Sequence, residues 1–144
     1  MCVVNALMRA PCREHRFRAQ WFTVSVMISS GMPVEIVVAS KRLQRECATE
    51  AQRKQSYPHC ASQLNRRIGQ LVAADNLAVM ATLPGYCHEL SGDYDGQLSI
   101  EVSGNFRLIF CPDHDEIPIK PEGGLDWSKV TRIMILEVRD YHGR

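Results

Sequence analysis

Three short segments of this 144-residue chain carry most of its chemically able side chains. The first is Cys87-His88-Glu89-Leu90-Ser91-Gly92-Asp93-Tyr94-Asp95-Gly96, the second Gly104-Asn105-Phe106-Arg107, and the third Asp140-Tyr141-His142 near the C-terminus. Together they offer imidazoles at His88 and His142, a guanidinium at Arg107, a carboxylate at Asp140 and a phenol at Tyr141. That set suits cleavage of an RNA phosphodiester without a metal or other cofactor. A base takes the proton of a ribose 2′-OH, the oxygen attacks the adjacent phosphorus, and an acid protonates the departing 5′-oxygen. A fixed cation offsets the charge gathering on the nonbridging oxygens. Two imidazoles titrating near neutrality can serve as base and acid. Arg107 can grip a phosphate through a bidentate fork, and Asp140 can orient a histidine. Each residue also has a plain structural reading: His88 as a loop-end hydrogen bonder, Arg107 as a snorkelling strand cation, residues 140–142 as a chain end. Asp93, Asp95 and Gly96 read as turn chemistry.

For these segments to meet, the chain must bring two strands and a terminus to one sheet face. Val34 to Val38 is β-branched and predicts a strand. Ser40 predicts an N-cap for a polar helix running to about Gln52, with Leu43 and Cys47 one turn apart facing inward. Ser56-Tyr57-Pro58 breaks that pattern. A second helix is predicted from about His59 to Ala73, with Cys60, Leu64, Ile68 and Leu71 on one side and Arg66 and Arg67 on the other. A short turn at Leu77–Met80 leads to the stop at Leu83-Pro84-Gly85. Residues 97–102 alternate strictly, Ser103-Gly104-Asn105 supplies a turn, and Phe106–Phe110 returns, which predicts a hairpin. A proline- and acid-rich loop over residues 112–128 precedes a last strand at 133–138. The order β-α-α-β-β-β predicts an α+β domain, an antiparallel-rich sheet covered on one face by a helical pair. The other face is left to form a concave site.

Composition limits the alternatives. The chain is 45% hydrophobic and 23% charged, as in a globular domain, and no run approaches the roughly 18 apolar residues of a membrane span. A net charge of +1 excludes nucleic-acid binding by bulk electrostatics alone. The total hides a segregation, however. Residues 32–74 hold seven basic side chains against three acidic, and residues 75–144 hold six against twelve. The basic helical half, with Arg66 and Arg67 at its centre, is the predicted RNA-facing surface. Six cysteines (Cys2, Cys12, Cys47, Cys60, Cys87, Cys111) have irregular spacing and form no zinc pattern; they are expected to be reduced small hydrophobes of a cytoplasmic protein. Residues 1–31 read differently from the remainder. Their apolar stretch Trp21–Ile28 is short and interrupted for a secretory signal, so they are expected to be an extension outside the fold, leaving a domain over residues 32–144.

The three segments resemble the HigB branch of the RelE/ParE toxins. The order His-x-Leu-x-Gly-Asp-x-x-Gly-x-x-Ser-Ile (His88 to Ile100), Asn-aromatic-Arg (Asn105 to Arg107) and Asp-Tyr-His (Asp140 to His142) carries the resemblance. It is closest to a subgroup with the stretch Leu83 to Leu90 and the loop Pro118 to Val130, and it spans about residues 34–143. The resemblance implies a RelE-like fold and the toxin of a bacterial type II toxin–antitoxin pair, an endonuclease that cleaves mRNA on the ribosome without metal. It also implies a HigA-like helix-turn-helix antitoxin as partner. Position by position it implies catalytic roles for His88, Arg107, Asp140, Tyr141 and His142. Two positions depart from the family: Leu98 stands where an aromatic is common, and Ser91 where many members carry Lys. These departures leave open an alternative, a non-catalytic toxin-like protein that only binds such an antitoxin.

Overall fold

A computed structural model of the chain describes residues 33–141. The expectations for residues 1–31 and for His142 therefore lie outside the described residues. Strand β1 (Glu35–Val38) is followed by helices α1 (Lys41–Cys47), α2 (Glu50–Ser56) and α3 (Ala61–Ala73). A 3-10 turn at Leu77–Thr82 leads into strands β2 (His88–Glu89), β3 (Leu98–Ser103), β4 (Phe106–Pro112) and β5 (Arg132–Asp140). The result is a mixed α+β arrangement whose five strands lie in the order β1-β5-β4-β3-β2. The pairs β5–β4, β4–β3 and β3–β2 are antiparallel, and β1 joins β5 in parallel.

Local chemistry explains most boundaries. The Ser40 hydroxyl accepts from the Leu43 amide at 3.2 Å and starts α1, whose Leu43 and Cys47 turn into the core. The single helix expected from Ser40 to Gln52 is in fact two. Thr49 adopts extended backbone angles (φ −129, ψ 160), and its side chain accepts from the Gln52 amide at 3.2 Å, so it caps a new helix. A short hydroxyl side chain offers the backbone this local alternative to continuing the helix. The other departure is the short strand β2, whose two residues pair with Ser99 and Leu98.

One face of the sheet carries the main core. Leu64 and Leu71 of α3 pack with Leu77, Met80, Ile100, Leu108, Phe110, Val130 and Ile133, all at most 1% exposed. At about 25 cal/mol per Å² of apolar area, this layer is the chief stabilising contribution of the fold. Alternation assigns the remaining strand positions to the other face. Cys111 and Met134 form a small second apolar cluster there with Val37, Ala39 and Leu136. Cys47, Cys60 and Cys87 are free thiols. Cys111 is disulfide-bonded, which corrects the expectation of six reduced cysteines. Among the described residues, no helix is long and apolar enough to cross a membrane.

Candidate functional site

Sheet register decides which of the predicted side chains share a face. In β4, Phe106, Leu108 and Phe110 point to the core, so Arg107 points away from it. Arg107 pairs across the sheet with Glu101 of β3 and Arg139 of β5. His88 pairs with Ser99, which lies two residues before Glu101 on the same side of β3. Tyr141 follows β5 and donates its amide to Asn105 O at 3.0 Å, which anchors the chain beside the hairpin turn. A cleft of about 310 Å³ results, lined by Tyr86, His88, Leu90, Ser99, Glu101, Arg107 and Tyr141. One chemically able residue from each of the three sequence segments thus meets in a single cavity.

The groups in the cleft are held by specific contacts. His88 Nδ1 lies 2.9 Å from the Tyr86 carbonyl oxygen. A carbonyl only accepts, so Nδ1 carries the proton and Nε2 is the basic nitrogen of the neutral ring. Arg107 Nη1 donates to the carbonyls of Ser103, Gly104 and Phe106 at 3.2–3.3 Å, which fixes the guanidinium over the hairpin turn. Its Nη2 sits 3.9 Å from a Glu101 carboxylate oxygen, and its Cζ lies 5.9 Å from the Tyr141 ring centroid. Glu101 is a cleft carboxylate that motif reading missed. Its strand position, two residues from Ser99 and opposite Arg107, is the signal that identifies it.

Asp140 is not part of this cavity. It pairs with Phe106, on the helix side of the sheet, and its charge is felt at Cys60 before α3, whose thiol is held above its ordinary value mainly by burial and then by Asp140. The expectation that Asp140, Tyr141 and the strand residues share one face is corrected by strand geometry: adjacent residues at a strand end point to opposite faces. Leu98 likewise points to the core, 1% exposed, so the missing aromatic removes nothing from the cleft. Ser91 is exposed and does not line the cleft. The residues read as turn chemistry do form a turn, with a 3-10 segment at Gly92–Tyr94 and Gly96 at φ 81.

The two helical arginines separate. Arg66 is exposed on α3. Arg67 is half-buried, and its Nε donates to Glu101 O at 2.9 Å. Its Nη1 donates to Gln70 Oε1 at 3.0 Å and to Pro84 O. The expected solvent-facing Arg67 is therefore corrected: the guanidinium ties α3 to β3 and to the loop before β2. That loop approaches so closely that a Cβ on Gly85 would stand 2.8 Å from Arg67 Cζ, and Gly85 itself has φ 121. The next residue, Tyr86, has φ 48, a left-handed conformation costing an L side chain about 1–2 kcal/mol.

No protein-family model matches the chain, and no curated protein matches it. Among solved structures, one match is described as "YoeB/ParE toxin from Agrobacterium tumefaciens", at 12% identity and a TM-score of 0.40, covering 74% of this chain and 98% of that one. A likeness at that level assigns neither fold nor activity to this chain.

Proposed function

We propose that the chain is the toxin of a type II toxin–antitoxin pair, a ribosome-dependent mRNA endonuclease acting by metal-independent attack of a ribose 2′-OH. The observation that carries the reading is the convergence of His88, Arg107 and Tyr141, from three distant motifs, on one cleft. In this reading His88 Nε2, freed as a base by the Nδ1 contact to Tyr86 O, removes the 2′-OH proton. The 2′-oxygen bonds to phosphorus as the bond to the 5′-oxygen breaks. His142, next in the chain after Tyr141, returns a proton to that leaving oxygen. Arg107 meets the nonbridging oxygens, exchanging its 3.9 Å contact with Glu101 for a closer, charge-assisted one. Tyr141 stands beside Arg107 to orient the ribose. Asp140 lies on the opposite face, outside the cavity, and is given no contact with the substrate in this reading. Arg66 remains the helical cation offered to rRNA, and a HigA-like helix-turn-helix antitoxin is the proposed partner in the cytoplasm.

The alternative of a toxin-like protein that only binds antitoxin rested on Ser91 and Leu98, and neither lines the cleft. Induction of the full chain in a bacterium tests the proposal. Growth should arrest, with new mRNA 5′ ends at translated codons by primer extension, and Arg107→Ala should relieve both. Full toxicity of a His88→Ala/His142→Ala double variant would refute the nuclease assignment.

A further inference from the structure

Tyr86 is 76% exposed, ahead of Tyr141 at 58% and Tyr94 at 44%. It is also the one non-glycine residue at positive φ among the described residues. Glycine or asparagine would make the same turn with less strain, so a tyrosine here stabilises neither the loop nor the core. The surrounding structure nonetheless holds it in place. Arg67 grips Pro84 O and Glu101 O, and the Glu101 amide donates to Gly85 O at 2.7 Å, so the loop is clamped immediately before Tyr86. The Tyr86 carbonyl in turn accepts a hydrogen bond from His88 Nδ1, and the two rings lie 5.1 Å apart, tilted by 52°. An exposed aromatic ring, rigidly placed beside an imidazole at the rim of a cleft that holds a guanidinium, fits a flat ligand carrying an anionic group.

We propose that Tyr86 is a nucleobase platform: a base of the bound RNA stacks on its ring while the attached phosphate reaches Arg107. The inference rests on the nuclease reading for its choice of ligand and names a substrate contact that the three motifs do not supply. Stacking is tolerant of base identity, because every base has a π-face. Arg67 is the positioning residue of this platform, acting through Pro84 and Gly85.

The test is an NMR titration of the full chain with adenosine 3′-monophosphate and, separately, inorganic phosphate. The nucleotide should shift the Tyr86 ring and His88 imidazole resonances. Tyr86→Gly should weaken nucleotide binding by about fivefold or more. It should leave inorganic phosphate binding unchanged and should not lower the thermal midpoint, because strain is relieved. Tyr86→Phe should bind the nucleotide like the unmodified chain. Equal nucleotide affinity in Tyr86→Gly overturns the platform and leaves the roles of His88 and Arg107 standing. Loss in Tyr86→Phe as large as in Tyr86→Gly overturns it in favour of a phenol hydrogen bond. Nucleotide binding that is lost in Tyr86→Gly but unchanged in Arg107→Ala supports the stacking contact and overturns the phosphate contact with Arg107. Binding of neither probe by the unmodified chain overturns both.

Discussion

Replacing Arg67 by alanine separates a clamp from a surface ligand. The guanidinium donates to Glu101 O at 2.9 Å in a partly buried position, to Pro84 O at an exposed one and to Gln70 Oε1 at 3.0 Å. A hydrogen bond from a charged donor contributes about 1.5–3 kcal/mol when shielded, and water replaces much of that at an exposed carbonyl. The Glu101 contact is therefore assigned about 1.5–2 kcal/mol and the Pro84 contact roughly 0.5–1. Releasing the loop lets Tyr86 leave its left-handed conformation, which returns about 1 kcal/mol. The net expectation is a loss of roughly 1–2 kcal/mol, read as a lower urea midpoint by far-ultraviolet circular dichroism. Arg67→Lys should recover little of it, because a single ammonium cannot span the Glu101 and Pro84 carbonyls as a planar fork does. Arg66→Ala, on the exposed side of the same helix, should change stability by less than about 0.5 kcal/mol. If Arg67→Ala proves as neutral as Arg66→Ala, the clamp does not exist and the reasoning fails.

Two further outcomes follow from the environments of single groups. Burial, followed by the charge of Glu89, pushes the Cys87 thiol up to about 12. Its alkylation by iodoacetamide at pH 8 should accordingly be about a thousandfold slower in the folded chain than in urea, and equal rates would contradict the packing. The Glu46 carboxylate is held below its ordinary value by the hydrogen bond from Arg42, then by that from Tyr57, whose hydroxyl lies at 2.7 Å. A folded-state value below the unfolded one gives stabilisation that is present above the unfolded value and lost as pH falls through the folded one. Tyr57→Phe should thus destabilise the chain at pH 7 and much less at pH 3, by urea titration at each pH; an equal loss at both would show that the charged contact contributes nothing.

Periodicity made most of the fold legible. Residues 97–102 and 106–110 could only be a half-buried hairpin, and Ser40 announced α1 through its hydroxyl. Thr49 was less readable, since a threonine inside a polar helical stretch is equally at home as an interior residue or a cap, and backbone angles decide between them. The candidate site was legible in its members more than in their directions. His88, Arg107 and Tyr141 reach the cleft, but Asp140 cannot follow Tyr141 onto the same face. Alternation along the last strand carried that information, although β5 contains a register irregularity opposite Ile109 and Phe110 that shifts its count. Glu101 and Tyr86 escaped for different reasons, since Glu101 lies just outside the His88–Ile100 pattern and Tyr86 sits within the Leu83–Leu90 stretch without any spacing that marks it as functional. Glu101 is identified by its partner across the hairpin, and Tyr86 by a backbone angle that a sequence does not display.

Charge distribution gains its meaning only from this register. The last third of the chain is acidic, with twelve acidic side chains against six basic over residues 75–144, which by itself argues against an anionic ligand there. Yet β4 and β5 set Arg107 directly opposite Arg139, and like charges in that relation repel. The repulsion is offset by carboxylates and rings: Glu101 beside Arg107, Glu137 beside Arg139, Tyr94 4.6 Å from Arg139, and Tyr141 5.9 Å from both guanidiniums. The resulting strip alternates tyrosine and arginine, from Tyr94 through Arg139 and Tyr141 to Arg107. Glu101 at 3.9 Å is a loose and half-exposed partner for Arg107, and a phosphate, with more acceptor oxygens, can take its place and relieve the Arg107–Arg139 repulsion at the same time. An acidic segment can in this way still offer a guanidinium whose carboxylate partner is loosely held.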